Sequence, residues 1–217
     1  MNEIRRVDYQ SEPLGEQDLA ATPLAQFRKW LDEAVAANIE EPNAMAAATV
    51  DESGQPHVRI LLCKEVIPTG FVFFTNYDSD KGRHLAGNPQ IGLCFHWQPQ
   101  HRQVRVTGVA ERLPGAESDA YFTSRPREAR LGAWASSQSA VIPDKQYLRQ
   151  RLDEAAARFP GDVPRPDQWG GYLVRARSLE FWQGQPSRLH DRLRCTASTG
   201  TADLDDVSAW SVQRLAP

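Results

Sequence analysis

The chain has 217 residues, 41% of them hydrophobic and 24% charged, with 25 Lys and Arg against 28 Asp and Glu for a formal net charge of -3. That length suits one core with decorations, and the nearly balanced charge excludes the global basic field that draws a protein to nucleic acid. No apolar run reaches the length of a membrane span, and the opening Met-Asn-Glu-Ile-Arg-Arg lacks the apolar stretch of a secretory signal, so a cytoplasmic protein is expected. Cys63, Cys94 and Cys195 are odd in number and widely spaced, which fits free buried thiols better than a disulfide framework. His57, His84, His96, His101 and His190 show neither a helical pair nor Cys/His spacing, so no structural metal is expected.

Residues 1–21 are polar and aperiodic and read as an N-terminal arm, mobile if it serves as a lid, ahead of a single domain over 22–217. Thr22-Pro23 is a helix start, a capping hydroxyl followed by proline at the first helical position, with Leu24, Phe27, Leu31 and Ala34 on one stripe. From Met45 the period becomes two, predicting strands over 45–51, 57–64 and 71–76 joined by Ser53-Gly54 and Pro68-Thr69-Gly70 turns. Ser79 to Gly87 reads as a short helix, followed by strands over 90–97 and 102–112. Helices over 117–124 and 144–159 come next, then a proline-rich link over 160–166 and strands over 170–176, 179–183, 188–195 and 209–215. Short antiparallel strands interrupted by helices predict a mainly β, α+β fold, a closed or nearly closed barrel with helical decoration.

The chemistry-bearing residues sit on these elements. There is no Gly-x-Gly-x-x-Gly after a strand, no phosphate-cradling Gly-rich loop, no nucleophile elbow and no catalytic cysteine signature. In the predicted strand 188–195, Arg188, His190, Arg192 and Arg194 share one parity and Leu189 and Leu193 the other. Such stacking of cations is either an anion site or the solvated outer face of an edge strand. Arg59-Ile-Leu-Leu-Cys-Lys64 has cationic ends on opposite parities, so a shared ligand needs a bulge; the alternative is two snorkelling ends. Phe74-Thr75-Asn76 followed by Ser79 and Lys81 places a hydroxyl and a lysine at a helix amino end, a phosphate site or an ordinary cap. Gln103 and Arg105 share a strand face, and Tyr121 to Arg127 ends a helix at a proline ahead of the polar Gln138-Ser139.

Taken together, Arg59 to Lys64, Phe74-Thr75-Asn76, Gln103, Tyr121, Ser124-Arg-Pro-Arg127, Gly132-Ala-Trp134, Gln138-Ser139, Trp169-Gly-Gly171, Glu180 to Gly184 and Arg188 to Arg192 resemble the pyridoxamine/pyridoxine 5'-phosphate oxidases. The likeness runs in register from Arg6 to the terminal Arg214-Leu-Ala-Pro217. The resemblance implies an FMN-binding split β-barrel and a homodimer with its sites at the subunit interface. It implies that Arg59, Ile60, Leu61, Leu62, Cys63, Lys64, Phe74, Thr75, Lys81, Gln103, Gln138, Ser139, Trp182 and Arg192 hold FMN. Lys64, Tyr121 and Arg125 would take the substrate phosphate, Arg188 and His190 would be catalytic against the pyridine ring, and Arg6 and Tyr9 would belong to a closing arm. The implied reaction oxidises pyridoxamine or pyridoxine 5'-phosphate to pyridoxal 5'-phosphate with dioxygen, giving hydrogen peroxide, without nucleic acid or membrane partners. Two departures bear on phosphate: Asp80 stands where the family usually has arginine and Ala129 where it usually has serine. Thr196 to Ser208, with Asp203, Asp205 and Asp206, is expected to be a surface hairpin loop without a catalytic role. The rival readings are an oxidase resembling those of phenazine biosynthesis and a noncatalytic flavin- or haem-binding barrel on the same fold.

Overall fold

The computed structural model describes residues 8–217. In chain order the elements are α1 (Pro23–Ala36), β1 (Ala44–Val50), β2 (Pro56–Leu62), β3 (Glu65–Ile67), β4 (Gly70–Asn76), α2 (Asp80–Gly87), β5 (Gln90–Trp97) and β6 (Arg102–Arg112). They continue with α3 (Gly115–Ser124), α4 (Arg127–Ala135), α5 (Lys145–Arg158), β7 (Trp169–Gln183), β8 (Asp191–Ala197) and β9 (Trp210–Arg214). The strands form one antiparallel sheet in the order β2-β1-β5-β6-β7-β4-β3, from which β8 and β9 branch at β7. One edge of β7 pairs with β6 along its length, while the other edge divides between β4 at its start and β8 at its end. That fork fits the split β-barrel that the resemblance implies, and the main strand order runs from β2 to β3 without closing.

The core lies inside the curled sheet and is closed by α1. Thr22 Oγ1 accepts from the Ala25 N–H at 3.1 Å and Pro23 opens the helix, so the predicted start is the observed one. The stripe this sets up drives Phe27 and Trp30 inward, Phe27 edge-on to Phe71 and Phe95 and Trp30 edge-on to Phe181. A second, smaller cluster of Phe122, Leu131, Ala155, Val163 and Trp169 seats α3, α4 and α5 on the β7 end of the sheet. Within the expected arm, Leu14 is buried in the main core and its N–H donates to Asp191 Oδ2 at 3.0 Å. Among the described residues no helix is long and apolar enough to cross a membrane, and all three cysteines are free.

Several boundaries differ from expectation for physical reasons. The strands expected over 170–176 and 179–183 are one strand, β7. Its pairing with β6 shifts register at Thr107/Gly108, which leaves Arg177 as an extra exposed residue, and the parity of burial changes there. A period-two reading breaks the strand at that point; Gly108 permits the bulge, since a Cβ on it would meet the Arg175 carbonyl oxygen at 2.3 Å. Helix α4 escapes the pattern because the single Pro126 both stops α3 and starts α4, which makes two helices read as one ending. The three-residue β3 is too short to show a period in the sequence. The 196–208 connection is not a plain surface loop. Leu204 is fully buried in the core, its N–H donates to Pro68 O at 2.7 Å, and its carbonyl accepts from Leu24 N–H at 3.0 Å.

Candidate active site

A cavity of about 520 Å³ opens between the β2–β3 corner, the end of β4, and helices α3 and α4. The corner explains how Leu61 and Lys64 share a lining despite their opposite parities. Strand β2 ends at Leu62, and the Cys63 N–H bonds back to Asn43 O while the Lys64 N–H bonds across to Val72 O. Cys63 is therefore driven into the core, where burial pushes its thiol up to about 12, and Ile60 is left exposed on the other face. Of the stretch Arg59–Lys64, Leu61 and Lys64 reach this cavity.

Its floor is aromatic. Phe74 stacks on Tyr121 at 3.8 Å between centroids and lies nearly parallel to Trp169 at 5.5 Å. Above Trp169, 4.6 Å from its ring, sits the Arg125 guanidinium. Arg125 lies at the α3 end, where the following proline holds it extended; its Nη1 is buried without a hydrogen-bond partner, and burial lowers its pKa. A second cation, Lys81, lies behind the lining and is held by Thr75 and Gln138, which do line the cavity. Ser79 caps α2, so Lys81 falls in the first turn with its Nζ inside, donating to Thr75 Oγ1 (3.1 Å), Ser79 Oγ (3.1 Å) and Gln138 Oε1 (2.9 Å). All three acceptors are neutral. Burial first, then the nearby Arg59, lower the lysine to about 8, with Asp80 partly opposing. Among the described residues neither Lys81 nor Arg125 forms an ion pair with a carboxylate.

Arg59 itself does not line the cavity. Its Nη1 donates to Ala47 O, Thr49 Oγ1 and His57 O, and burial lowers its pKa. Ser139 takes a positive φ of 72° and its Oγ accepts from the Asp80 N–H at 3.3 Å, which brings the loop after α4 onto the start of α2. Asp80 is exposed and pairs with Arg83 one turn on, so α2 carries a cation near this end although position 80 does not. Ala129 and Ser136 both line the cavity.

A second group forms elsewhere on the chain. Gln103, Trp182 and Arg192 lie in one row across β6, β7 and β8. Glu180, buried on the same face, accepts from Arg192 Nε at 2.8 Å and Arg105 Nη1 at 3.2 Å. Arg188 and His190 are not on the strand, contrary to the predicted alternation. Pro186 to Arg188 form a turn in which Ser187 and Arg188 take positive φ of 56° and 63°, and β8 begins only at Asp191. Arg188 is exposed; His190 is half-buried, its ring 4.7 Å from Trp182 and 5.6 Å from Tyr9. The Gln185 N–H donates to His190 Nδ1 at 3.1 Å, so the neutral ring carries its proton on Nε2; burial first and Arg188 second lower its pKa. Arg194 pairs with Gln213 at 3.0 Å. None of this second group lines the cavity of the first. Arg6 lies outside the described residues. Asn76, Ser136 and Trp169 line the cavity without having been singled out as ligands; the Trp-Gly-Gly run was the one sequence signal for the last.

Residues 31–159 match the family described as pyridoxamine 5'-phosphate oxidase, and residues 169–217 match the pyridoxine 5'-phosphate oxidase C-terminal dimerisation region. The chain belongs to the pyridoxamine 5'-phosphate oxidase family. Proteins named pyridoxine/pyridoxamine 5'-phosphate oxidase from Cupriavidus taiwanensis and Ralstonia pickettii are similar over nearly their whole length. The first is 49% identical, covering 99% of this chain and 98% of the relative; the second is 51% identical, covering 98% and 97%. Among solved structures, PhzG from Burkholderia lata 383 in complex with tetrahydrophenazine-1-carboxylic acid superposes with a TM-score of 0.84 at 28% identity, covering 95% of this chain and 99% of that one. A pyridoxamine 5'-phosphate oxidase-related, FMN binding protein from Nostoc punctiforme shares the fold at a TM-score of 0.69 and 15% identity, covering 88% and 97%. Both groups described above fall inside the matched family regions, the cavity mainly in the first and the row around Trp182 mainly in the dimerisation region.

Proposed function

We propose that this chain is an FMN-dependent oxidase that converts pyridoxine or pyridoxamine 5'-phosphate to pyridoxal 5'-phosphate. The observation that carries the reading is a pair of desolvated cations without a carboxylate partner, Arg125 on the lining of the cavity and Lys81 just behind it, bonded to the lining residues Thr75 and Gln138. A buried cation among neutral acceptors costs stability, and an anionic ligand offsets that cost. Two such cations suit two phosphates: Lys81, with Arg59, Thr75, Gln138 and Ser139, for that of FMN, and Arg125, with Lys64 and Tyr121, for that of the substrate. The unpartnered Nη1 of Arg125 and the neutral acceptors around Lys81 fit those groups. FMN, when bound, would supply the hydride acceptor and hand the electrons to dioxygen.

The chain's own residues bind, orient and shield. The Phe74–Tyr121–Trp169 stack gives the cavity an apolar floor on which a flat ring can lie. His190, neutral and with its proton on Nε2, is a hydrogen-bond donor against a pyridine substituent, and Arg188 supplies charge beside it. Tyr9, packed on His190, Trp182 and His101, would keep water from that side. The two groups are separate within one chain, so we propose a homodimer in which the row around Trp182 of one copy completes the cavity of the other, a reading supported by the dimerisation-region match. The balance is one dioxygen consumed and one hydrogen peroxide formed per aldehyde, with water taken up and ammonia released when the substrate is the amine.

The test is an aerobic assay of the FMN-loaded protein with each phosphate ester, following aldehyde and peroxide. Equal yields of the two products are expected, and no turnover of either ester would refute the proposal. Oxidation of a reduced tricyclic carboxylate instead would favour the activity suggested by the PhzG likeness.

A further inference from the structure

Asp51, His57 and His84 come from the β1–β2 turn, the start of β2 and the second half of α2, and their ligand atoms all lie within 4.8 Å of one another. The sequence separations follow no metal-binding pattern, because three different elements bring them together. Asp51 Oδ2 is 3.0 Å from His57 Nε2, and the two imidazole rings are 4.6 Å apart and inclined at 43°. Both Asp51 and His84 are held from behind. Asp51 Oδ1 accepts from Ser53 N–H (2.9 Å), Ser53 Oγ (2.7 Å) and Gln55 N–H (3.0 Å), which leaves Oδ2 turned to the ring. His84 Nδ1 is 3.0 Å from Thr49 Oγ1, which leaves Nε2 as its free nitrogen. A contact on the far ring nitrogen is how protein metal sites commonly orient a ligating imidazole.

We propose that Asp51 Oδ2, His57 Nε2 and His84 Nε2 form a binding site for a divalent cation of the Zn²⁺ class. Two imidazoles and one carboxylate are the donor set of such a cation, whereas Mg²⁺ and Ca²⁺ prefer oxygen alone. Donors about 2.0–2.1 Å from a tetrahedral zinc stand on the order of 3.3 Å apart. The Asp51–His57 separation of 3.0 Å is already near that value, and a ligand nitrogen of His84 lies within 4.8 Å of both. All three side chains are half-buried, and Asp51 and His84 also line a solvent-open groove with Glu52 and Asn88, from which the ion enters and water completes its coordination. Two cations lie close by. Arg59 is engaged by Ala47 O, Thr49 Oγ1 and His57 O, and Arg83 by Asp80, so Asp51 remains available as the anionic ligand. The simpler arrangement is a His57–Asp51 hydrogen bond with a second imidazole tilted against it, and the two make different predictions.

The test is equilibrium dialysis of the chelator-stripped full chain against Zn²⁺, with His57→Gln, His84→Gln and Asp51→Asn beside it. One Zn²⁺ per wild-type chain is expected, with affinity reduced at least tenfold in each histidine variant and less in Asp51→Asn. The imidazole ¹⁵N resonances of His57 and His84 should move together on titration, a readout independent of enzyme activity. No binding by the wild type, or binding unchanged in both histidine variants, overturns the proposal. Both histidines are partly exposed, so the glutamine variants should fold; equal thermal melting of the stripped proteins checks this.

Discussion

At pH 7 most copies of the unliganded protein carry a charged Lys81, and at pH 9 most do not, because burial pushes its pKa down to about 8. The sign follows from the folded value lying below the ordinary 10.5. The buried ammonium costs stability throughout the range below about pH 8, and that cost is relieved as pH rises from 8 toward the unfolded value. The drop from 10.5 to about 8 corresponds to about 3 kcal/mol of disfavoured charge, a cost that a bound phosphate dianion would offset. A phosphate monoester stays dianionic above about pH 7, so its own titration does not interfere. With a pKa of about 8, the charged fraction falls from about nine-tenths at pH 7 to about one-tenth at pH 9, and phosphate-dependent affinity should fall about tenfold. The assay compares FMN with riboflavin, which lacks the phosphate, by flavin fluorescence quenching at both pH values, so that effects on the ring cancel in the ratio. The FMN-to-riboflavin affinity ratio should drop about tenfold in the wild type and stay level in Lys81→Arg, whose guanidinium remains charged. A ratio independent of pH in the wild type, or the same slope in Lys81→Arg, would refute the reasoning.

Leu204→Ala should cost about 2–4 kcal/mol, because it empties a fully buried position in the β8–β9 connection; a denaturant midpoint shift under about 0.5 kcal/mol would mean that the connection is loose in solution. Arg192→Ala should cost about 2–3 kcal/mol, since it leaves the buried Glu180 carboxylate with Arg105 alone; chemical denaturation at unchanged m-value measures it. Arg188→Ala should lower turnover far more than FMN content, since Arg188 is exposed at the β7–β8 turn; equal losses of both would make it a flavin ligand.

Where a residue's direction is fixed by regular backbone, the sequence announces it. Val104 and Val106 are buried opposite Gln103 and the exposed Arg105, as alternation requires, and Ser79 caps the helix that turns Lys81 inward. Where a few irregular dihedrals decide direction, it does not. The positive φ of Ser187 and Arg188 takes Arg188 and His190 off the strand on which their spacing would set them, and no pattern in hydrophobicity reports that. The extra residue at Arg177 likewise flips the parity within one continuous strand. Tertiary assembly hides still more: the cavity draws on β2, β4, α3, α4 and the start of β7, and the Asp51–His57–His84 group on three elements, so neither leaves a local spacing to read. The resemblance names the residues of both groups, but their separation within one chain is visible only in three dimensions.

Strand β7 carries Trp169 at one end and Trp182 near the other within 15 unbroken residues, and a single partner, β6, runs beside nearly all of them. A fluctuation large enough to loosen the cavity floor therefore also frays the ladder beneath the Gln103–Trp182–Arg192 row. Native-state amide exchange should therefore find the two ends opening together as one cooperative unit. The geometry of each group is thus tied to the intactness of the other, even though their side chains never touch the same cavity.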